Sequence, residues 1–301
     1  MIKPAADVMI AAVPRVRSQV ARDLVALGKP RVLLLVLAST LAGYFVALEG
    51  PPDLARVIHV VIGTFMAAAG TLALNQYVER DVDALMERTR RRPLPGGRLQ
   101  PLEALLFAGV LTAAGVTYLA VSVGIAVAGL TLATTILYLG AYTPLKTRSA
   151  LCMLVGAVPG ALPPVTGWLA ARGELGLGAA MLFAIVFLWQ LPHTLAIALL
   201  YRDDYARAGV RVLPVIDAYG TVSDRQIVTS TLALLGVSVL PAAIGLSGVA
   251  YFATACVLGL ALLAIGLAHA SRPSVISARR VLMATLFYLP LLLAVLTLDK
   301  P

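Results

Sequence analysis

Residues 72–92 read LALNQYVERDVDALMERTRRR, and the fold turns on how this stretch is read. An apolar run passes without interruption through Asn75 into four acids, Glu79, Asp81, Asp83 and Glu87. Five arginines follow within 88–98. If the helix of the apolar run continues, Asn75, Glu79 and Asp83 fall at i, i+4 and i+8. Each step then turns about 40° and rises about 6 Å, so the three side chains form one stripe of oxygen donors. Asp81 falls on the opposite side and is expected to be solvated. Glu87 is expected to pair with Arg91 at i,i+4. A carboxamide inside a greasy segment is costly and marks function more often than structure.

The surrounding chain explains why such a segment is greasy. Of 301 residues, 60% are hydrophobic and 13% charged, about half the charge of a globular domain. This composition excludes an ordinary water-soluble enzyme and predicts an all-α polytopic membrane protein. About 20 apolar residues cross a bilayer, and nine segments fit: 32–48, 56–76, 102–122, 125–143, 150–170, 177–200, 227–246, 249–269 and 279–298. We expect the nine helices to enclose a central cavity. The fifth, with Pro159, Pro163 and Pro164, is expected to be kinked or partly unwound. Residues 1–30 read as a cytoplasmic arm and 31–301 as one domain. The arm is basic but carries a single serine, Ser18, so it reads as juxtamembrane and not as a presequence.

Basic residues orient the bundle. Of 24 Lys and Arg, 21 fall on the side of the N-terminal arm, and only Arg56, Arg172 and Lys300 fall on the other. The positive-inside rule then puts the N-terminus in the cytoplasm and the C-terminus outside. The net charge of +9 is thereby assigned to membrane topology and anionic lipid, and no nucleic-acid partner is expected. Cys152 and Cys256 lie in apolar segments and read as small buried hydrophobes.

The acids collect on the same basic face. Asp203 and Asp204 follow the sixth span as the first cluster follows the second. Adjacent aspartates repel unless a cation, Arg202 or Arg207 stands close. Carboxylate and carboxamide oxygens suit Mg²⁺ completed by substrate phosphate, while Arg88, Arg90, Arg91, Arg92 and Arg98 offer a phosphate grip. Lys146, in YTPLKTRS (142–149), reads either as a phosphate ligand or as a snorkelling anchor. Tyr77, Tyr142 and Tyr205 read either as interfacial aromatics or as faces for a cationic intermediate. His193 in the sixth span reads as functional, or as hydrogen-bonded to a neighbouring helix. His59 and His269 read as interfacial.

The pattern NQYVERDVDALMERTRRRPLPGG (75–97) resembles the first motif of the UbiA-type intramembrane prenyltransferases, Asn-x-x-x-Asp-x-x-x-Asp followed by Arg-Thr-x-x-Arg-Pro-Leu. With YTPLKTRS, PGALPPVTGW (159–168) and WQLPHTLAIALLYRDDYARAGVRVLPV (189–215), residues 30–298 are similar to the haem-farnesylating branch of that family. The resemblance implies Mg²⁺-dependent transfer of farnesyl from farnesyl diphosphate to the vinyl group of haem B, giving haem O for terminal oxidases. Asn75, Glu79, Asp83, Asp203 and Asp204 would hold metal. Lys146, Arg88, Arg92 and Arg202 would bind diphosphate. His193 would ligate haem iron or orient a propionate. The setting would be a bacterial inner membrane with the active face cytoplasmic, beside haem A synthase or oxidase assembly. Two positions depart from the pattern: Glu79 stands for Asp, and Leu200 stands four before Asp204, so Asp203 is the substitute ligand. An aromatic acceptor is the alternative within the family. An anion transporter is disfavoured because the acids lie at one face and not at mid-depth.

Overall fold

The computed structural model describes residues 17–300, which contain helices and no strands. In chain order the helices are α1 (Arg17–Leu27), α2 (Pro30–Ala47), α3 (Leu54–Val78), α4 (Arg80–Ala84), α5 (Pro101–Ser122) and α6 (Ile125–Ile136). After α6 a π-helical segment, Leu137–Tyr142, leads into α7 (Thr143–Leu145). Then follow α8 (Cys152–Arg172), α9 (Leu177–Leu200), α10 (Arg202–Arg207), α11 (Leu213–Ile216), α12 (Thr221–Ser238), α13 (Leu240–Ala243), α14 (Val249–Ser271) and α15 (Val275–Leu298). Among the described residues nine helical stretches are long and apolar enough to cross a membrane. They match the nine expected segments. The seventh starts at Thr221, six residues earlier than its apolar run, because Asp217 accepts from Ser223 N at 2.8 Å and Ser223 Oγ at 2.9 Å and so organises a polar first turn.

The structure adds detail at the N-terminal arm and at the fifth span. Residues 1–16 of the anticipated arm lie outside the described residues, but 17–27 form a docked helix. Leu27 is fully buried, Gln76 Nε2 donates to the Leu27 carbonyl at 2.9 Å, and Arg98 pairs with Asp23 at 3.0 Å. The proline-rich fifth span is helical throughout Cys152–Arg172, so it is not unwound. The irregular turn lies instead in the fourth span, at Leu137–Tyr142.

Hydrophobicity drives helices into lipid but does not pair them there; close van der Waals approach does. Glycines provide it. A Cβ on Gly167 would lie 1.8 Å from the Thr40 carbonyl oxygen, and one on Gly43 1.9 Å from that of Pro164, so α2 and α8 touch backbone to backbone. Gly115 likewise admits α3, where a Cβ would stand 2.3 Å from Ala67 N. These pairs, α2 on α8 and α3 on α5, anchor one half of the bundle. α9 joins it to α12 and α15, which both pack on α14, and α15 closes back on α2.

The two ends of the bundle differ. Arg56 Nε donates to the Ala170 carbonyl and Arg172 Nε to the Ala47 carbonyl, both at 2.7 Å. Lys300 Nζ donates to the Phe45 carbonyl and, at 2.8 Å, to that of Leu48. The three basic residues of this end thus satisfy carbonyls near helix C-termini. Every acid of the opening stretch lies at the other end.

The glycine contacts give a first test. Gly167→Val overpacks α2 against α8 and is expected to cost about 1–3 kcal/mol or more. The midpoint of thermal unfolding in detergent should fall clearly, whereas Gly129→Ala, where the added Cβ meets nothing within 4 Å, should leave it in place.

Candidate active site

The stripe spans two helices, because the long apolar helix ends at Val78 and a short one takes over directly after Glu79. α3 ends at Val78 and α4 begins at Arg80, yet Glu79 N donates to the Asn75 carbonyl at 2.9 Å and Asp83 N to that of Glu79 at 2.7 Å. One i,i+4 bond thus ends α3 on Glu79 and another starts α4 from it, so Glu79, with φ −89° and ψ 3°, is the joint between two helices that carry the stripe. Asn75 is fully buried and Asp83 is 2% exposed.

Each member of the stripe meets a partner from a different part of the chain. Lys29, between α1 and α2, donates from Nζ to Asn75 Oδ1 at 2.8 Å. Asn75 Nδ2 donates to Thr143 Oγ1 at 3.2 Å, and Thr143 in turn donates to the Tyr138 carbonyl at 2.8 Å. Lys146 Nζ lies 2.5 Å from Glu79 Oε1 and 4.4 Å from the centre of the Tyr142 ring. Arg92 Nη1 lies 2.6 Å from Asp83 Oδ2. Three cations thus face two carboxylates in a poorly solvated corner. Lys29 registers the surplus: burial, then Arg92 and Lys146, pull its pKa down to about 7. Burial also works against the Lys146 ammonium, but Tyr142 and Glu79 outweigh it and hold Lys146 above the ordinary lysine value. The corner is a preassembled positive field whose negative half is just short of balance.

The second acidic cluster does different work. Asp204 is buried and accepts from the backbone N–H groups of Glu87 and Arg88, each at 3.2 Å, and pairs with Arg207. Burial alone would raise its carboxyl; those N–H groups and Arg207 hold it below the usual range. Thr89 Oγ1 donates to the Asp83 carbonyl at 2.8 Å. Together these contacts fix the 85–92 loop and aim Arg92 at the stripe.

The remaining expected residues are spread more widely. Asp203 is exposed, and Arg202 donates to the Asp217 carbonyl at 3.2 Å. Arg88 stacks over Tyr201 and Tyr205 at 5.0 and 5.7 Å, with Nη2 3.3 Å from the Tyr205 hydroxyl. Tyr77 packs with Leu27 and Ala73 beneath Arg80, away from the stripe. His193 Nδ1 lies 2.9 Å from Thr285 Oγ1 and its ring stacks on Trp189 at 4.8 Å, so it ties α9 to α15. Asp81 is exposed beside Arg80, as expected. Glu87 pairs with Arg90 at 2.7 Å rather than with Arg91. Of the five arginines only Arg92 reaches a stripe carboxylate, and Arg98 is spent on Asp23.

Nothing in the sequence pattern marks Thr89, Tyr138 or Thr143 as site residues. Lys29 has one local signal, its place directly before the first span in GKPR (28–31), but topology alone accounts for its charge. It is also the one non-glycine residue with positive φ among those described, at 47°, a conformation that turns the chain between α1 and α2.

The sequence profile of the UbiA prenyltransferase family matches residues 36–292. The chain is similar to the protoheme IX farnesyltransferase of Solibacter usitatus, 44% identical over 93% of this chain and 99% of the relative. It is also similar to that of Koribacter versatilis, 41% identical over 93% of each. Among solved structures it shares its fold with digeranylgeranylglyceryl phosphate synthase, TM-score 0.76 at 15% identity, over 94% of this chain and 98% of the other. A UbiA homologue from Archaeoglobus fulgidus bound to GPP and Mg²⁺ superposes with TM-score 0.63 at 14% identity, over 91% and 99% of the two chains.

The role of Asp204 gives a second test. Asp204→Ala leaves two backbone N–H groups without their acceptor, at about 1–3 kcal/mol each. Trypsin should then cut within 88–92 at least roughly tenfold faster. The exposed neighbour serves as control: Asp203→Ala should leave the cleavage rate unchanged.

Proposed function

Because the chain belongs to the UbiA prenyltransferase family, we propose that it transfers the farnesyl group of farnesyl diphosphate to protohaem IX, forming haem O and releasing diphosphate. The observation that carries this reading is the positive corner around Asn75, Glu79 and Asp83, set at the polar end of an apolar bundle. A prenyl diphosphate is a polyanion on a lipid tail. The tail partitions among the helices, and the head meets Lys29, Lys146 and Arg92. Curated relatives that carry the name protoheme IX farnesyltransferase support haem as the acceptor.

In this reading the bond between C1 of farnesyl and the diphosphate oxygen breaks, and its electron pair leaves with diphosphate. Lys29, Lys146 and Arg92 stand where that charge develops and are already oriented, so little reorganisation is needed. The π pair of the haem vinyl group bonds to C1 of the allylic cation. Water captures the cation left on the neighbouring vinyl carbon, and its proton passes to solvent or diphosphate. Tyr142 and Tyr205 hold Lys146 and Arg88 over their ring faces and position those cations. His193, committed to Thr285 and Trp189, is assigned to helix packing.

The stripe fits Mg²⁺. Its donors are all hard oxygens, and its two carboxylates are balanced only by side-chain cations that a phosphate would draw away. No group of three or more His, Cys, Asp or Glu among the described residues could hold a metal ion alone. Mg²⁺ suits such a site because it binds through one or two carboxylates plus substrate phosphates. Bound by Asn75, Glu79 and Asp83, it would neutralise diphosphate charge and ease departure of the leaving group. Asp204 then acts by positioning the 85–92 loop. The charge asymmetry supports placing the basic face in the cytoplasm of a bacterial inner membrane.

The test is the haem extracted from membranes of a host that makes only haem B. Expression of this chain should add haem O, identified by mass; its absence overturns the reading. Asp83→Ala should lower the yield at least about 100-fold with membrane insertion intact, and Asp81→Ala should leave it within about twofold. In purified protein, EDTA should stop the reaction and Mg²⁺ restore it.

A further inference from the structure

Outside the stripe, an amphipathic groove of about 360 Å³ lies between the start of α8, the last turns of α9 and the start of α12. Arg148, Arg211, Ser149 and Gln226 stand at its polar rim, and Leu191 and Leu195 of α9 line its floor. Leu191 and Leu195 stand one turn apart on α9, so the groove follows that helix for about 6 Å. Among the described residues no carboxylate lines it. Arg148 and Arg211 are exposed, and among the described residues neither guanidinium has a carboxylate or carbonyl partner. Among the described arginines Arg92, Arg98, Arg172 and Arg207 are paired with acids, whereas Arg148 and Arg211 are among those left to meet an outside anion. Two unpaired guanidinium groups above an apolar trough describe an amphiphile with two negative charges at one edge.

The groove also adjoins the proposed reaction centre. Arg211 N donates to the Lys146 carbonyl at 2.7 Å, so the rim and the Glu79 partner share one backbone contact. Met153 lines the groove and also packs in the apolar cluster of Tyr142, Met86 and Tyr205. A single flexible thioether side chain therefore stands in the wall between the two.

We propose that this groove docks the haem acceptor, its two propionates on Arg148 and Arg211 and its macrocycle against the leucine floor, with the vinyl edge directed past Met153. The assignment rests on haem being the acceptor. It would make the groove a specificity site for a dicarboxylate porphyrin, separate from the diphosphate corner.

The full chain in detergent micelles, titrated with haem B and followed by Soret absorbance, tests it. The double variant Arg148→Gln/Arg211→Gln should weaken haem binding at least tenfold and raise KM for haem by a similar factor, with KM for farnesyl diphosphate within twofold. Iron protoporphyrin IX dimethyl ester, which lacks both carboxylates, should bind the unaltered protein as weakly as haem B binds the variant. This second arm needs no folded variant. Product formation with an unmoved haem KM in the variant overturns the groove and leaves the reaction standing. So does an anionic phospholipid retained by the unaltered chain and lost from the variant while haem binding is unchanged. Equal loss of affinity for farnesyl diphosphate also overturns it, because the arginines would then serve the diphosphate. If the unaltered chain makes no farnesylated haem, the reaction reading fails and this assignment with it.

Discussion

Buried charge at the mouth of α3 is the constraint that the rest of the structure answers. Asp83 and Glu79 are held where water is scarce, and an unpaired carboxylate there would cost several kcal/mol. Each is matched by a cation from a distant segment: Arg92 from the loop after α4, Lys146 from beyond α7. Lys29, from the turn before α2, completes the set through Asn75. One stripe thus draws together the end of the second span, the end of the fourth and the approach to the first. Replacing these pairs with apolar side chains would satisfy stability as well or better. Their retention is explained by the proposed chemistry, in which a phosphate takes the cations and a divalent metal takes the carboxylates.

The acids of the basic face divide by whether their partners are side chains or backbone. Glu79 and Asp83 face ammonium and guanidinium groups, which exchange readily for other ions. Asp204 and Asp217 accept from backbone N–H groups of the 87–88 and 222–223 turns, which cannot move without unfolding a turn. The first arrangement suits a group that changes partner during a reaction; the second suits a group that holds a loop still. Asp203, beside Asp204 in sequence, has neither kind of partner among the described contacts.

Helical periodicity alone makes the stripe legible in the sequence, because Asn75, Glu79 and Asp83 need only one continuous helix to align. The span count is legible for a comparable reason: apolar length and basic asymmetry are both local sums. What stays hidden depends on neighbours that no window contains. Lys29 and Thr143 meet Asn75 across 46 and 68 residues. The arginines of 88–98 look interchangeable in sequence, yet Arg98 turns to Asp23 on α1 and only Arg92 turns to Asp83. Tyr77, two residues from Asn75, points to the α1 and α5 side because two residues are about 200° of helix. The three prolines of α8 mislead for the opposite reason: local propensity argues for a break, and packing against α2 through Gly43 and Gly167 holds the helix together.

The basic asymmetry means more than topology. At the far end Arg56, Arg172 and Lys300 donate to helix carbonyls, and Arg172 also pairs with Glu49 at 2.5 Å. That end is electrically finished: its few cations neutralise helix termini and leave no field for an anion. At the other end the cations outnumber what the carboxylates and carbonyls consume, and Arg148 and Arg211 stand unpaired among the described residues. An anionic substrate approaching this bundle meets attraction at one face only. The surplus that a topology rule reads as orientation is, at the level of individual side chains, the binding capacity of that face.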